Sequence, residues 1–582
     1  MPRQRPTVPV VRICVAIAAL SVPAARVASG EDAATAPTAS SKRPAMSGAD
    51  YFRQLQKAQK AASEDDRERA LNLYSELATW NPDDGELWNE VGRLAARLER
   101  FETAAKAYSR AYELGFGAQP RTAFQIATAY GALERHDEAL DWLLVALADR
   151  IDPLFMVRAN KSLALLRDDP TYKQAVYALP DEELSRTAAW QFDLDVLAAE
   201  ARRMHRQVDH TLPPEQLTGM VDALKQRIED LTDEEMLFEM QRIIAAIGDG
   251  HSRVVLGNRR ISVRAIPLKF YLFSDGLFVV DADEEHVQWI GAEVVKVSET
   301  PTAEALEAVR PFVSRDNPMG WKAAAPAFLR LPTALSLAGV IGDDTQVPLV
   351  LRDRDGGEQA LNVAPAEAAL GRGLRFPPRR SDVSVPHYLR YIDREFALEW
   401  LPQEQVLYVA FNSVSDGDDE TLAEFAARVK QAIDEHTPQA VVVDVRHNGG
   451  GNTFLTVPLV KTCIYYELSQ PGGQLFVIQG RATFSACQNF VTDLDRLTGA
   501  IFVGEPSGSR PNSYGETTRV LLPAHQVYVS ISSMRWQHSY PMDDRIWIAP
   551  DVPALLSAGD YFGGRDPALD AVFEIVADGA GR

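Results

Sequence analysis

Two short stretches in the C-terminal half of the chain decide its fold. Residues 441–452 read VVVDVRHNGGGN, an apolar strand pattern that ends in three glycines, and residues 481–488 read RATFSACQ, a serine in a run of mostly small residues. Glycine lets a backbone approach a reacting group closely, and backbone N–H groups fixed in a loop can stabilise an oxyanion. The order of strand, glycine loop and serine predicts a serine hydrolase built on a sheet.

Composition bounds the remaining possibilities. A chain of 582 residues, 46% of them apolar, predicts two to four domains with sizeable cores. Its formal net charge of -21 repels phosphate backbones and anionic lipid, so neither nucleic acid nor a bilayer is an expected partner. Cysteine and histidine show no metal-ligand spacing, so no metal or other cofactor is expected.

The first 30 residues are typical of a secretory signal peptide. Arg3, Arg5 and Arg12 precede the apolar run 13–22, and small residues follow. The apolar run is too short to span a bilayer, which predicts a protein exported to the periplasm or the outside, with no membrane insertion after signal removal. Residues 31–48, rich in Ala, Thr, Ser and Pro, are expected to form a flexible linker.

Residues 49–180 repeat themselves. The segments 70–75 (ALNLYS), 104–109 (AAKAYS) and 139–144 (ALDWLL) recur at a spacing of 34 to 35 residues, with small residues where paired helices would touch. This pattern resembles tetratricopeptide repeats, in which each helical hairpin buries its face against a neighbour. Such a stack would offer a surface for a protein partner; an ordinary helical bundle is the alternative.

The rest of the chain changes periodicity three times. Residues 181–260 show helical spacing, and 261–370 contain short strand-like runs separated by Asp-Gly turns. A crossover at 371–395 leads to residues 396–582, where strands and helices alternate. The predicted fold class is therefore multidomain α and α/β, with a helical-repeat domain, a helical segment, a small β-rich region and an α/β core.

Four motifs between about 190 and 575 together resemble the S41 peptidase family, which includes the C-terminal processing proteases and the tricorn core proteases. They are GDGHS at 248–252, VDVRHNGGG at 443–451, TFSACQ at 483–488, and VGEPSG at 503–508 followed by APDV at 549–552. The resemblance covers about two thirds of the chain. It implies hydrolysis of a peptide or protein substrate, and the β-rich region is loosely similar to the family's PDZ-type module.

The resemblance implies specific catalytic roles. Ser485 is the expected nucleophile, and the oxyanion donors are expected to be the N–H of Ala486 and that of Gly449 or Gly450. One family branch uses a lysine base, but no lysine follows Lys461 in this sequence. Arginine stays protonated and cannot substitute as the base.

The other branch uses histidine, and His251 occupies the matching motif. Imidazole titrates near neutrality, so it can take the serine proton and return it to the leaving group. Asp543 and Asp544 are the candidates for the acid that fixes its other nitrogen, with Asp249 and Ser252 as local alternatives.

Two other histidines, His447 and His538, also fall near the expected site. His447 and Asn448 are expected to line the substrate cleft. The sequence departs from the family in two places, because Gly250 stands where the tricorn pattern has serine, and Cys487 with Gln488 replaces a small residue and an acid. Whether Cys463 and Cys487 form a disulfide or remain two buried thiols stays open.

Two alternatives remain. The altered residues after Ser485 would also suit a non-enzymatic scaffold, in which helical repeats join a hydrolase-like fold that has lost turnover. An acyl esterase is the other alternative, because a Ser/His pair with an oxyanion hole also hydrolyses esters. No Gly-x-Ser-x-Gly elbow is present, so an esterase here would not have the usual α/β-hydrolase architecture.

Overall fold

A computed structural model describes residues 46–117, 119–151, 154–366 and 383–579. Two compact units divide the chain, one formed by Met1–Arg203 with Arg519–His525 and the other by Met204–Thr518 with Gln526–Arg582. The expected signal peptide, the linker up to residue 45 and the first part of the crossover lie outside the described residues. No helix in the described part has the length and apolar character needed to cross a membrane.

The first unit is helical, and each of its first five helices packs against the next. Small residues allow this close packing; Ala70, Ala104 and Ala139 are fully buried. The same left-handed turn, with φ of 57° at Asp65, Glu99 and Glu134, recurs at the spacing found in the sequence. The helices are α1 Gly48–Ser63, α2 Arg67–Trp80, α3 Gly85–Arg97, α4 Phe101–Glu113, α5 Gln119–Ala132, α6 His136–Ala148, α7 Leu154–Ala159, α8 Pro170–Ala175 and α9 Arg186–Met204.

The second unit begins with two helices and a mixed region whose sheet has the order β2-β3-β4-β6-β7, with β5 paired to β4. The strands fall in the runs expected from the sequence, but two helices, α13 and α14, interrupt the region expected to be mainly strand. Proline at the start of each of these helices suits the first helical turn, where no N–H partner is needed. The elements are α10 Pro214–Lys225, α11 Asp233–Ala245, β1 Arg253–Val254, β2 Leu268–Leu272, β3 Leu277–Ala282, β4 Glu293–Val297, β5 Thr300–Pro301, α12 Thr302–Ala308, α13 Pro318–Phe328, α14 Pro332–Leu337, β6 Val347–Arg352 and β7 Glu358–Val363.

The α/β core contains a six-stranded sheet of order β15-β12-β11-β10-β9-β8, parallel except for β8. Strand β10 is buried along its whole length, which explains its continuous valine run. The elements are α15 His387–Arg390, β8 Phe396–Leu401, β9 Val406–Phe411, α16 Leu422–His436, β10 Ala440–Asp444, α17 Val457–Ser469, β11 Gln474–Gln479, α18 Ala486–Leu497, β12 Ile501–Gly504, β13 Asn512–Leu522, β14 Val527–Gln537, β15 Val552–Pro553, α19 Ala558–Phe562 and α20 Pro567–Gly579.

Two features of this unit bring distant sequence together. Because β10 and β11 are parallel neighbours, the loops that follow them leave the same edge of the sheet. Strand β1 pairs antiparallel with β14 in a separate three-stranded sheet, with Arg253 opposite Ser530. This pairing fixes the turn that precedes β1, and with it residues 248–252.

Candidate active site

Ser485 lies between β11 and α18, immediately before the first residue of the helix. Its backbone has φ 55° and ψ -127°, a conformation that non-glycine residues rarely adopt. Such strain costs about 1–3 kcal/mol and is found mainly at functional sites. Thr483 helps to hold the loop, since its hydroxyl donates to the carbonyl of Val445 on the neighbouring loop at 3.0 Å.

His251 reaches Ser485 from the turn between α11 and β1. The carboxylate of Asp249 accepts the backbone N–H groups of His251 and Ser252, at 2.8 and 2.7 Å, which fixes this turn. The imidazole Nε2 lies 3.0 Å from Ser485 Oγ. When Nε2 carries no proton, this distance allows the serine hydroxyl to donate to it, as a nucleophile and its base require.

Phe484 accounts for one departure from the family motifs, the glycine at position 250. Its ring stacks on the His251 imidazole, with ring centroids 4.3 Å apart. The same ring fills the space beside Gly250, where an added Cβ would lie 2.8 Å from two ring carbons. A serine in place of Gly250 would therefore collide with Phe484, which explains the glycine at this position.

The acids predicted to orient His251 do not reach it. Asp543 accepts hydrogen bonds from Ser539 at 2.6 Å and from Arg545, and these interactions, with Arg545 first, lower its pKa to about 2. Asp544 is exposed and has no hydrogen bond to His251. The Nδ1 atom of His251 is buried and has no hydrogen-bond partner among the described residues. The prediction that Asp543 or Asp544 orients His251 is therefore wrong.

Asp249 supports the backbone of the turn and not the imidazole. Besides the two N–H groups, its Oδ1 accepts the Ser532 hydroxyl at 2.7 Å, and its Oδ2 lies 3.3 Å from His205 Nε2. Burial raises the pKa of Asp249, but the neighbouring His205 and the hydrogen bonds from Ser252 and Ser532 outweigh it and bring the pKa below the usual range.

Asp316 is a buried acid at this site that the sequence analysis missed. Its Oδ1 accepts the N–H of Gly250 at 2.7 Å, and Ser509 donates to its Oδ2. Burial raises the pKa of Asp316, and the positive charge of a protonated His251 acts in the opposite direction. Its place in the sequence, 65 residues after His251 and in no motif, gave no signal.

The glycine loop packs directly against Ser485. The N–H of Ala486 is the first of α18 and donates no hydrogen bond within the described residues. Gly450, with φ 107°, packs so closely that an added Cβ would lie 2.6 Å from the Cβ of Ser485. Its N–H donates to Asn448 Oδ1 at 2.9 Å, whereas the N–H of Gly449, the other predicted donor, makes no hydrogen bond within the described residues.

Two of the predicted substrate-binding residues and one competing histidine lie elsewhere. Asn448 is fully buried and shapes the glycine loop, with Nδ2 donating to the carbonyl of Phe411 at 2.9 Å. His447 faces a second cavity, described below, and His538 lies 3.0 Å from Asp493. None of these three residues lines the cleft at Ser485. The prediction that His447 and Asn448 line the substrate cleft is therefore wrong.

The cleft around Ser485 has a volume of about 390 Å³. Apolar side chains form part of its wall; Phe454 is 75% exposed and its ring packs edge-on against Trp536, with centroids 6.2 Å apart. Glu516 is the acid of the lining. The described residues include no cluster of three or more His, Cys, Asp or Glu that could hold a metal ion.

The helix that follows Ser485 is anchored by apolar packing. Cys487 is fully buried in the core beneath α18, and its N–H donates to the carbonyl of Phe484 at 3.1 Å. Burial raises the pKa of its thiol. Cys463 and Cys487 are both free, which answers the open question of a disulfide. Gln488 is also fully buried, so an acid at that position would face desolvation in this chain.

Comparison with known proteins supports the fold. No protein-family model matches the sequence, and no curated protein matches it. The solved structure of mature CPAF complexed with lactacystin is 14% identical, with a TM-score of 0.50, and the likeness covers 68% of this chain and 99% of that one. The photosystem II D1 C-terminal processing protease (13% identity, 66% and 97% coverage) and the tricorn protease (13%, 68% and 37%) also match, each with a TM-score of 0.33. The chain thus shares the fold of mature CPAF, in agreement with the family resemblance of its motifs.

Proposed function

We propose that this chain is an exported serine peptidase of the S41 type that hydrolyses peptide bonds through Ser485 and His251. The 3.0 Å distance between His251 Nε2 and Ser485 Oγ carries the proposal, because it joins residues 234 positions apart in the sequence. The strained backbone of Ser485 and the free N–H of Ala486 support it independently.

The reaction follows from this geometry. His251 Nε2 takes the hydroxyl proton as Ser485 Oγ attacks the carbonyl carbon, and the negative oxygen of the tetrahedral intermediate accepts the N–H groups of Ala486 and Gly449. His251 then donates its proton to the departing amine. Water, deprotonated by the same imidazole, hydrolyses the acyl-enzyme and restores the serine.

Three groups prepare His251 for this role. Asp316 accepts the N–H of Gly250, Asp249 accepts those of His251 and Ser252, and stacking on Phe484 restricts the imidazole plane. An ionised Asp316 would also stabilise the imidazolium formed during the reaction. These interactions replace the direct carboxylate contact to Nδ1 that the sequence analysis expected.

The other domains fit a role in handling protein substrates. The recurring turn and the buried alanines of the first unit support tetratricopeptide-like repeats, for which a protein partner is proposed. The β-rich region 261–370 is proposed as a degenerate PDZ-like module. Export rests on the signal-like residues 1–30, and the peptide class of substrate rests on the motif resemblance.

A second candidate function is a scaffold without turnover. The observation in its favour is the buried Nδ1 of His251, which lacks the hydrogen-bond partner that usually fixes a catalytic imidazole. Substrate cleavage separates the two candidates, because a scaffold would bind peptides and leave them intact.

Hydrolysis of an unfolded protein or a peptide library tests the proposal. Ser485→Ala should remove all cleavage while thermal unfolding stays near that of the wild type. Ser513→Ala, in the wall of the same cleft, is the matched control and should keep most of the activity. Equal cleavage by wild type and Ser485→Ala would refute the assignment, and intact peptides with the folded wild type would favour the scaffold.

A further inference from the structure

A second cavity, of about 530 Å³, lies in the same unit as the active site and is larger than the cleft at Ser485. Neither Ser485 nor His251 lines it, and the two cavities share no lining residue. Its floor is formed where β10, β11 and β12 end, at His447, Gln479 and Gly504. In open α/β sheets, ligands bind outside the carboxyl ends of the strands.

Four buried polar atoms at this cavity have no hydrogen-bond partner among the described residues. Two belong to side chains that are almost fully buried, Tyr388 (3% exposed) and Gln479 (2% exposed), through Oη and Oε1. The others are Nε2 of His447 and Nε of Arg330. Buried polar groups are normally paired, and leaving one unpaired costs roughly 1–3 kcal/mol. Four around one cavity indicate a ligand with complementary groups.

The charges at the cavity favour an anionic ligand. Arg446 is neutralised by two carboxylates, those of Asp444 and Asp566, each at 2.8 Å, and Arg481 is paired with Glu505 at 2.8 Å. Arg330, by contrast, forms no ion pair within the described part of the chain, and burial lowers the pKa of its guanidinium. A carboxylate is the group that a buried guanidinium pairs with most effectively.

Much of the remaining wall is apolar. The side chains that form it come from the β-rich region and from the core, namely Phe270, Val280, Ile392, Ile478 and Leu556. Water in such a place would have few hydrogen-bond partners, whereas an apolar group would gain contact with the wall. The cavity also falls within the size range of small-molecule sites.

We propose that this cavity binds a small amphipathic carboxylate, with an apolar body and one N–H or O–H donor. The carboxylate of the ligand pairs with Arg330, and its N–H or O–H group donates a hydrogen bond to Gln479 Oε1. Its apolar body lies along Phe270 and Ile478. Arg446 and His447 lie at the start of the glycine loop, and Gln479 is the last residue before the loop that carries Ser485. The ligand therefore contacts the first residues of both active-site loops. The proposal does not depend on the proposed peptidase function.

Calorimetric titration of the full chain with N-octanoylglycine tests the site, because this probe carries an acyl chain, an amide N–H and a carboxylate. The neutral N-octanoylglycinamide should bind at least tenfold more weakly. Arg330→Met should lower the affinity for the acid about tenfold and leave that for the amide unchanged. Ser485→Ala should bind the acid like the wild type.

A second, independent test of the site fills the cavity with a large side chain. Ala327 is an exposed residue of α13 at the wall, so Ala327→Trp should abolish binding without disturbing the core. Ala303→Trp, at an exposed position of α12 away from the cavity, is the matched control and should bind normally. Thermal unfolding verifies that each variant is folded.

Three results would overturn the proposal. The first is no binding of the acid by the wild type at millimolar concentration, which would mean that water alone occupies the cavity. The second is equal affinity in wild type and Ala327→Trp. The third is loss of acid binding once Ser485 is covalently blocked, since that would assign the probe to the cleft.

Discussion

The turn at 248–252 and the glycine loop at 445–452 each carry a histidine, and their surroundings differ. The imidazole of His251 lies 3.0 Å from Ser485 Oγ and stacks on Phe484. That of His447 lies beside Tyr388, with ring centroids 5.8 Å apart, at a separate cavity. Burial, with the nearby charge of Arg446, lowers the pKa of His447 to about 3.

The difference shows that proximity in sequence is a poor guide to chemistry in this fold. His447 is two residues from Gly449 and faces away from the nucleophile's cleft, whereas His251 comes from 234 residues upstream. The pairing of β1 with β14 places the distant residue. His447, which is close in sequence, is directed away from the cleft by its position after β10.

Among changes that leave Ser485 and His251 in place, the largest effect is expected from one on the glycine loop. Gly450→Ala should lower peptide hydrolysis by about 100-fold or more, because its Cβ would overlap Ser485 and disturb the oxyanion donors. Gly449→Ala is the matched control, since an added Cβ there meets no atom within 4 Å and the N–H is retained. Steady-state hydrolysis measures both, and equal losses would contradict the assigned geometry.

A smaller effect on hydrolysis is expected from Asp316→Asn, which changes the carboxylate that accepts the N–H of Gly250. Removing the charge should lower hydrolysis about tenfold, because an ionised neighbour stabilises the imidazolium. Because the imidazolium forms only during the reaction, the loss should appear in kcat and leave KM nearly unchanged. Asp544→Asn, on an exposed side chain, is the control. A loss confined to KM or to thermal stability would limit Asp316 to a structural role.

The smallest effect concerns His447 and appears in stability, not in activity. Its folded pKa of about 3 lies below the ordinary histidine value of about 6.5, so as pH falls below 6.5 the unfolded chain binds a proton that the folded chain does not. Stability is therefore lost on acidification, by about 2 kcal/mol at pH 5 for this group.

Urea unfolding at pH 7 and pH 5 measures that loss. His447→Gln should lose less stability than the wild type over this interval, by the same amount. His538→Gln is the control, because His538 lies 3.0 Å from the carboxylate of Asp493. Identical pH dependence in wild type and His447→Gln would remove the contrast between the two histidines.

Much of the framework could be read from the sequence because it depends on local pattern. Three such patterns are the alanines at 34 to 35 residue spacing, the valine run of β10 and the glycine loop. Each reflects the immediate structural environment of its own residues. Ser485 and His251 were accessible for the same reason, since both lie in recognisable motifs.

The residues that the sequence analysis missed or misplaced depend on tertiary contacts. Asp316 has no motif and matters only because its carboxylate meets the N–H of Gly250. Asp543 was placed at the site by its neighbours in sequence, but Arg545 and Ser539 bind it instead. Gly250 looked like a departure from a motif, and only the ring of Phe484 beside it explains the glycine.

The central claim is that His251 activates Ser485, and labelling with a fluorophosphonate followed by peptide mapping tests it most directly. The account predicts that the wild type is labelled at Ser485, that His251→Asn reacts at least 100-fold more slowly, and that His447→Asn reacts at the wild-type rate. Labelling of folded His251→Asn at the wild-type rate, or no labelling of Ser485 in the folded wild type, would contradict it.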